Sequence, residues 1–150
     1  VGIRQCAFEE EISCQVELSK SENVGKSKDS IAEAGLSLFM DENHHYDIFI
    51  TKEENDFYAN SRLCIGQAES VKEKIKLETN KASFKIFANA YCYQLFLQTE
   101  KDLILLSQAD TRYLSSEVAG GFTGVYLGFY AVDSDSSSVA TFTNLSVKNK

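Results

Sequence analysis

The sequence contains no tryptophan and no proline, and only 2 of its 150 residues are histidine. The absence of proline removes a residue that commonly marks linkers, and no Gly/Ser-rich or charge-block segment divides the chain. We therefore expect residues 1–150 to form a single domain. No apolar run approaches the roughly 20 residues that span a bilayer, which argues against a membrane-spanning protein.

Basic residues are also scarce, with 15 Lys and Arg against 22 Asp and Glu and a formal net charge of -7. Such a charge repels nucleic-acid phosphates and anionic lipid headgroups, so we expect no nucleic-acid partner and no membrane partner. Val1 is not followed by a basic and apolar leader, so this sequence shows no signal peptide. It leaves the location open, whether cytoplasmic, periplasmic or secreted.

Residues that bind metals are few and badly spaced for that purpose. His44 and His45 are adjacent, so on a strand their side chains point to opposite faces and cannot chelate one ion. The cysteines fit neither a zinc-binding pattern nor a CxxC pair, and we interpret all of them as buried, reduced core residues. We expect no metal and no cofactor. The cysteines are Cys6, Cys14, Cys64 and Cys92.

Apolar residues recur mostly at every second position, in stretches rich in Val, Ile, Tyr, Phe and Thr, which predicts strands. In Phe8–Leu18 the alternation predicts that Phe8 faces the core, and Ala34–Met40 with Tyr46–Ile50 predicts a hairpin. About ten short strands indicate an all-β sandwich or barrel, with one outer face available for a ligand. The other predicted strands are Ser61–Ile65, Val71–Leu77 (a short helix being the alternative), Phe84–Ala88, Tyr91–Thr99, Leu103–Leu106, Gly124–Val132 and Ser138–Val147. Extended loops are predicted at Ser19–Ser30 and Asp133–Ser138.

Fragments that suggest catalytic or ligand motifs are each incomplete. Val24–Ser27 resembles the end of a phosphate-binding loop, but Lys20 stands where the leading glycine is needed. Asp133–Ser137 resembles the start of a calcium loop without its terminal glutamate. No G-x-S-x-G element exists to expose a serine nucleophile. We assign no catalytic residue.

One segment interrupts the alternation. Asp110–Gly121 is charged, aromatic and glycine-rich, and Phe122 stands between Gly121 and the pair Thr123 and Gly124. A ring flanked by glycines at the end of a strand is either displayed to solvent or caps the end of the core. Both interpretations stay open from the residues alone.

The segment Asp110–Ala131, DTRYLSSEVAGGFTGVYLGFYA, closely resembles the C-terminal β-sandwich of glycoside hydrolase family 43 β-xylosidases. Other segments resemble the family in the same order along the chain. The resemblance implies a two-sheet antiparallel β-sandwich of the concanavalin A-like, jelly-roll type, preceded by a five-bladed propeller that carries the catalytic carboxylates. The other matching segments are Arg4 and Gln5 with Phe8, Glu33–Leu36, Asn43–Tyr46, Tyr93–Leu97, and Thr141 with Phe142.

The resemblance also implies roles for particular residues. Gly121, Phe122 and Thr123 correspond to a loop that reaches the entrance of the active site, and Arg112 and Tyr113 lie where a domain interface is expected. The partner is then the N-terminal propeller of the same chain, with a xylo- or arabino-oligosaccharide near the loop. On this interpretation the 150 residues are an accessory domain without hydrolytic activity, in an enzyme that degrades xylan or arabinoxylan oligosaccharides.

Two alternatives belong to other functional classes. A free-standing carbohydrate-binding module would hold a polysaccharide on a concave sheet through its tyrosines and phenylalanines, although the lack of tryptophan disfavours this. A self-contained glycosidase would need two carboxylates placed across one pocket.

Overall fold

The computed structural model describes residues 1–20, 31–72, 74–121, 124–134 and 137–149. Strands make up almost all of the regular structure; the exceptions are a 3-10 helix at Thr111–Leu114 and helix α1 at Ser116–Ala119. No helix among the described residues is long and apolar enough to cross a membrane. The strands are β1 Gly2–Arg4, β2 Glu10–Lys20, β3 Ala32–Asp41, β4 His44–Glu53, β5 Asp56–Ile65, β6 Ala68–Val71, β7 Ile75–Leu77, β8 Lys81–Ala88, β9 Cys92–Gln98, β10 Leu103–Asp110, β11 Tyr126–Asp133 and β12 Ser138–Asn149.

These strands form two antiparallel sheets that pack face to face. The seven-stranded sheet has the order β1-β11-β3-β4-β5-β6, with β7 also pairing with β5, and the five-stranded sheet has the order β10-β9-β8-β2-β12. Sequence neighbours such as β3, β4 and β5 are joined by short turns, whereas β11 crosses over to pair with β3. The two-sheet antiparallel sandwich predicted from the sequence is confirmed.

Alternate residues of each sheet meet in one shared core. Tyr46 of β4 and Tyr93 of β9 touch edge to face across the two sheets, with ring centroids 6.0 Å apart. Each buried hydroxyl has an acceptor, since Tyr46 donates to the carbonyl of Asp110 at 2.9 Å and Tyr93 donates to Oε1 of Gln5 at 2.8 Å. Burial raises the pKa of Tyr93 to about 12. Both hydroxyls therefore stay neutral and fix the chain segments that cross one end of the sandwich.

Two predictions about single residues were wrong. Phe8 is 83% exposed, because β2 begins only at Glu10. The Glu10 carboxylate accepts the backbone N–H groups of Cys6 and Ala7 at 3.1 and 2.9 Å, so the chain bends before the strand and leaves Phe8 outside. Cys6 is exposed in the same bend, whereas the prediction of burial holds for Cys14 and Cys64. Cys92 is half-buried, and all four thiols are free.

The strand predicted at Val71–Leu77 is only partly correct, because Val71 ends β6 and Ile75–Leu77 form β7, and both strands pair with β5. Lys72 and Lys74 belong to neither strand, and residue 73 lies outside the described residues. The loop predicted at Ser19–Ser30 is wrong for its first two residues, because Ser19 and Lys20 belong to β2; residues 21–30 lie outside the described part of the chain. The turn predicted at Asp133–Ser138 is bounded by the end of β11 and the start of β12.

Candidate functional site

The predicted entrance segment crosses one end of the sandwich between β10 and β11. Leu114 of the 3-10 helix is buried in the core and anchors the segment. Thr111 fastens its start, because its backbone N–H donates to the carbonyl of Tyr91 and its hydroxyl donates to that of Asn89, at 2.9 and 3.0 Å. The segment is therefore held rigidly where it leaves β10.

Three glycines between α1 and β11 have backbone conformations that favour glycine over other residues. Gly120, Gly121 and Gly124 have φ values of 76°, 91° and 72°, in the left-handed region where a side chain is strained. A Cβ on Gly124 would lie 3.1 Å from the guanidinium of Arg4, which packs against this turn. Gly121 is exposed. Phe122 and Thr123, the other two residues predicted for the entrance loop, lie outside the described residues.

Arg112 and Tyr113, predicted for a domain interface, lie on the same end of the sandwich. The Arg112 guanidinium lies 4.8 Å from the Tyr113 ring centroid, donates to the Tyr113 hydroxyl at 2.9 Å, and lies 3.3 Å from the Asp110 carboxylate. The Arg112 side chain is largely solvent-exposed. The two residues thus form one preorganised surface unit.

Two exposed aromatic residues extend this surface. Phe8 and Tyr91 are 83% and 84% exposed. Each belongs to a turn that a backbone hydrogen bond joins to the residues between β10 and β11. The backbone N–H of Gln5 donates to the carbonyl of Val125, and that of Thr111 to the carbonyl of Tyr91, each at 2.9 Å. We call this surface, formed by residues 5–9, 89–91, 111–121 and 124–125, the loop end.

A second site, which the sequence analysis missed, lies on the outer face of the seven-stranded sheet. A cavity of about 590 Å³ opens on this face, and we call it the outer cleft. Its residues form cross-strand rungs, because antiparallel register places alternate residues of neighbouring strands side by side. Read from β11 across β3 and β4 to β5, the rungs are Tyr126, Phe39, His45 and Cys64; Gly128, Ser37, Asp47 and Arg62; Tyr130, Gly35, Phe49 and Asn60; and Val132, Glu33, Thr51 and Tyr58.

Asp47 is the centre of the polar network in the outer cleft. It is only 4% exposed and accepts three hydrogen bonds: from Ser37 Oγ at 2.7 Å, from His45 Nδ1 at 3.0 Å and from Arg62 Nε at 3.0 Å. Burial pushes the pKa of Asp47 upward, but the bonds from His45, Ser37 and Arg62 outweigh it and hold the pKa below its usual value. Asp47 is therefore ionised at neutral pH.

Arg62 connects Asp47 to the rest of the network. Its Nη2 donates to Glu33 Oε1 at 2.5 Å and to the Tyr130 hydroxyl at 3.2 Å, and its guanidinium stacks 4.7 Å from the Phe49 ring centroid. Burial raises the pKa of Glu33, and the Arg62 charge offsets this only in part. One guanidinium is thus shared by two carboxylates in a setting that little water reaches.

A further cavity of about 580 Å³ adjoins the outer cleft and shares Glu33 and Arg62 with it. Asn60 lines this cavity and is 6% exposed, yet its Oδ1 has no hydrogen-bond partner among the described residues. An unpaired buried amide oxygen costs free energy unless a ligand or water satisfies it. This face therefore has a buried hydrogen-bond acceptor without a partner among the described residues.

The chemistry of these two sites suits binding better than catalysis. Within the described ranges, no three His, Cys, Asp or Glu side chains are grouped so that they could hold a metal ion. Glu33 and Asp47 both bind Arg62, so neither is positioned as a free acid facing a free base. One sequence signal could have revealed the outer cleft: Glu33, Asp47 and Arg62 alternate with apolar residues on three successive strands.

Comparison with known proteins identifies the family. Residues 1–148 match the family described as the beta xylosidase C-terminal concanavalin A-like domain of glycoside hydrolase family 43. A non-reducing end alpha-L-arabinofuranosidase of Bacteroides ovatus is 32% identical over 139 residues, which cover 87% of this chain and 24% of that protein.

Solved structures agree with this match. The GH43B protein of a Bacteroides ovatus xyloglucan locus superposes with a TM-score of 0.82 at 28% identity, over 99% of this chain and 29% of that one. A xylan beta-1,4-xylosidase from Bacillus halodurans has the same TM-score at 19% identity, again over 99% and 29% of the two chains, and shows the shared fold.

The matched region thus spans 24% to 29% of the length of these relatives. Both the two-sheet architecture and the match over residues 1–148 agree with the resemblance carried by Asp110–Ala131. The chain belongs to the C-terminal concanavalin A-like domains of glycoside hydrolase family 43.

Proposed function

We propose that this chain is the non-catalytic domain of a larger family 43 β-xylosidase or arabinofuranosidase, and that its loop end packs on the catalytic propeller of the same polypeptide. The carrying observation is that relatives matched over most of this sandwich are three to four times longer than the matched region. The remaining length is enough for a propeller. The parent enzyme would act on xylan or arabinoxylan oligosaccharides.

The exposure of the loop end supports its role as the interface. Phe8 and Tyr91 offer large apolar surfaces to solvent, and Val118 of α1, which also belongs to the loop end, is 48% exposed. Apolar side chains of this size are usually covered when they cluster, and aromatic residues are enriched in domain interfaces. Arg112 and Tyr113, already held together, add a preformed polar contact at the same surface.

The position of the glycine loop supports a role at the active-site entrance. Leu114 and Arg4 fix both sides of the loop, and Gly120, Gly121 and Gly124 have left-handed backbone conformations. An apolar ring at position 122 would narrow an adjoining pocket and exclude water and longer chains, as an end-acting glycosidase requires. Gly121, Phe122 and Thr123 therefore remain our proposed entrance residues.

Two experiments test this proposal. The first is the intact mass of the native product: we expect three to four times 16.7 kDa, whereas a mass near 16.7 kDa would mean that the sandwich works alone, as a sugar-binding module. The second is kinetics of the full-length enzyme with Phe122→Ala. We expect kcat/KM on short aryl xylosides or arabinofuranosides to change by about tenfold, the scale of one lost apolar contact in a pocket.

The matched control for Phe122→Ala is Leu105→Ala. Leu105 is a 47% exposed apolar residue on β10 of the five-stranded sheet, away from the loop end. This variant should leave kcat/KM unchanged. Equal kinetics for the Phe122 variant and the wild type would return Phe122 to the role of a cap on the sandwich core.

A further inference from the structure

We infer that the outer cleft of the seven-stranded sheet is a second ligand site, which binds a neutral saccharide at a place distinct from the loop end. The saccharide class rests on the proposed function, while the site itself rests on the geometry of the cleft. Three independent features of the described residues support it: the shape of the face, its polar groups that are not fully used within the chain and its row of aromatic rings.

The shape suits a chain-like ligand. The cavities of about 590 and 580 Å³ are neighbours that share the lining residues Glu33 and Arg62, and we call the two together the groove. On β4 the groove extends from His45 to Thr51, and six strand steps correspond to ~20 Å. A groove of this length accommodates several consecutive sugar units.

Polar groups that are not fully used within the chain line this groove. Asp47 is ionised and can only accept, so His45 donates Nδ1–H to it, and the other ring nitrogen, Nε2, takes no part in this bond. Asn60 lines the second cavity, and its buried Oδ1 has no hydrogen-bond partner within the part of the chain that the structure describes. Sugar hydroxyl groups can both donate and accept, so they suit both the His45 ring and the Asn60 amide.

An aromatic row crosses the end of the cleft nearest the loop end. Tyr126, Phe39 and His45 are cross-strand neighbours on three adjacent strands, which places the row over ~10 Å. Phe39 and His45 stack with centroids 6.2 Å apart, while Phe39 and Tyr126 remain 40% and 39% exposed. Such a row can pack against the apolar face of a sugar ring.

Charge selects a neutral ligand over an acidic one. Three carboxylates, on Glu33, Asp47 and Glu69, line the cleft against the single guanidinium of Arg62, which Glu33 and Asp47 already occupy. In the neighbouring cavity Lys52 lies among Glu53, Glu54 and Asp56, so a uronate or a phosphate would meet net negative charge in both cavities. A neutral pentose or hexose oligosaccharide avoids this cost.

The cleft adjoins the proposed entrance without overlapping it. Tyr126, the first rung of the cleft, follows the loop end by one residue, after Val125. A saccharide that leaves the active-site entrance along this face would reach the aromatic row first. The cleft would then hold the remote part of a longer substrate, supplying binding energy away from the reacting bond.

The most direct test introduces a side chain at Gly128, on the floor of the outer cleft, so that it occupies part of the cavity. Gly128 lies on the outer face beside Ser37, and a Cβ placed on it would come no closer than 3.8 Å to any other atom. Gly128→Val therefore adds a β-branched side chain to a strand that tolerates it, and the variant should fold as stably as the wild type. Because both sheets enclose their core within this chain, the 150-residue protein can be used directly.

Binding is measured by calorimetry and by NMR shift mapping with neutral xylo- and arabino-oligosaccharides and with oligogalacturonate. We expect the neutral sugars to shift residues of the cleft rungs, with Gly128→Val and Tyr126→Ala each weakening binding by about tenfold or more. The control Leu105→Ala should bind as the wild type does. Equal melting temperatures show that a loss of binding is not a loss of folding.

Three results would overturn the inference: no binding of a neutral oligosaccharide near 1 mM, where even weak sites of about -4 kcal/mol are visible; binding that Gly128→Val leaves unchanged; or preference for oligogalacturonate. None of these depends on catalysis. Failure of the proposed function would instead appear as a native mass near 16.7 kDa or as unchanged Phe122→Ala kinetics, so the two failures are distinguishable.

Discussion

The outer faces of the two sheets show the same alternation of polar and apolar residues in the sequence, but their polar side chains are buried to different extents in the structure. On the five-stranded sheet the ion pairs are exposed or half-buried: Lys81 pairs with Glu17 and Lys85 with Glu11, each at 3.2 Å. On the seven-stranded sheet, Asp47 and Asn60 are almost completely buried although they too point away from the core. The second face therefore buries its polar groups more deeply than the first, as a site does.

The difference has a simple steric cause. On the seven-stranded sheet the small residues Gly35, Ser37 and Gly128 lie beside the large side chains of Phe49 and Tyr130, whose rings are 6.5 Å apart. The large side chains shelter the polar groups between them. Gly35 makes room for Phe49, since a Cβ on it would lie 2.7 Å from the Cβ of Phe49, whereas Ser37 and Gly128 line the open cavity. Burial on an outer face is therefore a better guide to function here than charge alone.

The largest expected effect comes from removing the shared guanidinium. Arg62→Met leaves Asp47 and Glu33 without their cation, and breaking a buried pair in this way costs about 3–5 kcal/mol of unfolding free energy. Lys81→Met on the other outer face should cost less than about 1 kcal/mol, because its pair is exposed. Urea denaturation of both variants measures the contrast, and similar losses would show that the two faces do not differ.

The pH dependence of stability separates the two carboxylates of the outer cleft. The pKa of Asp47 is lowered from 3.8, so its contribution is present above that pH and is lost as the pH falls through the lower folded-state value. The pKa of Glu33 is raised from 4.5, so stability declines as the pH rises from 4.5 through the higher folded-state value.

Variants in which a neutral amide replaces each carboxylate test these opposite pH dependences of stability. Asp47→Asn should flatten the acid side of the stability curve, and Glu33→Gln should remove the decline above pH 4.5, both measured by denaturation across the pH range. Glu17→Gln, on the outer face of the five-stranded sheet, is measured in parallel as a variant outside the outer cleft. If both cleft variants altered the curve in the same direction, the assignment of the two pKa shifts would be wrong.

The smallest expected effect compares two glycines. Gly124→Ala should destabilise the protein by about 1 kcal/mol, because its left-handed backbone strains any side chain and Arg4 must move. Gly128→Ala should be neutral or stabilise the protein by about 0.5 kcal/mol, since its strand backbone accepts a side chain and the space is free. The melting temperatures of the two variants measure the difference between a turn that requires glycine and an open strand position that accepts a side chain.

The fold could be predicted because strand periodicity is local. Alternation in Ala34–Met40 and Tyr46–Ile50 identified a hairpin that the structure confirms, with Leu36 opposite Ile48. Phe8 was misplaced because its side-chain direction depends on the Glu10 carboxylate binding the backbone of the preceding bend, an interaction that alternation does not encode.

The site was harder to predict. Glu33, Asp47 and Arg62 come from three strands and meet only through antiparallel register, so no single segment shows the network. The loop end was found because the resemblance pointed to Asp110–Gly121 and because glycine at turns is a local signal. The exposure of Tyr91, by contrast, follows from the β8–β9 turn and could not be read from its place in an apolar run.

The most direct measurement is hydrogen exchange, by mass spectrometry, of these 150 residues alone and within the full-length parent. We expect the parent to protect residues 5–9, 89–91 and 111–121 of the loop end, while the outer cleft around residues 35–39 and 126–130 exchanges equally in both. Alkylation of the exposed Cys6 should slow in parallel. Protection of the outer cleft together with an unprotected loop end would contradict the account, because the catalytic domain would then cover the proposed saccharide site.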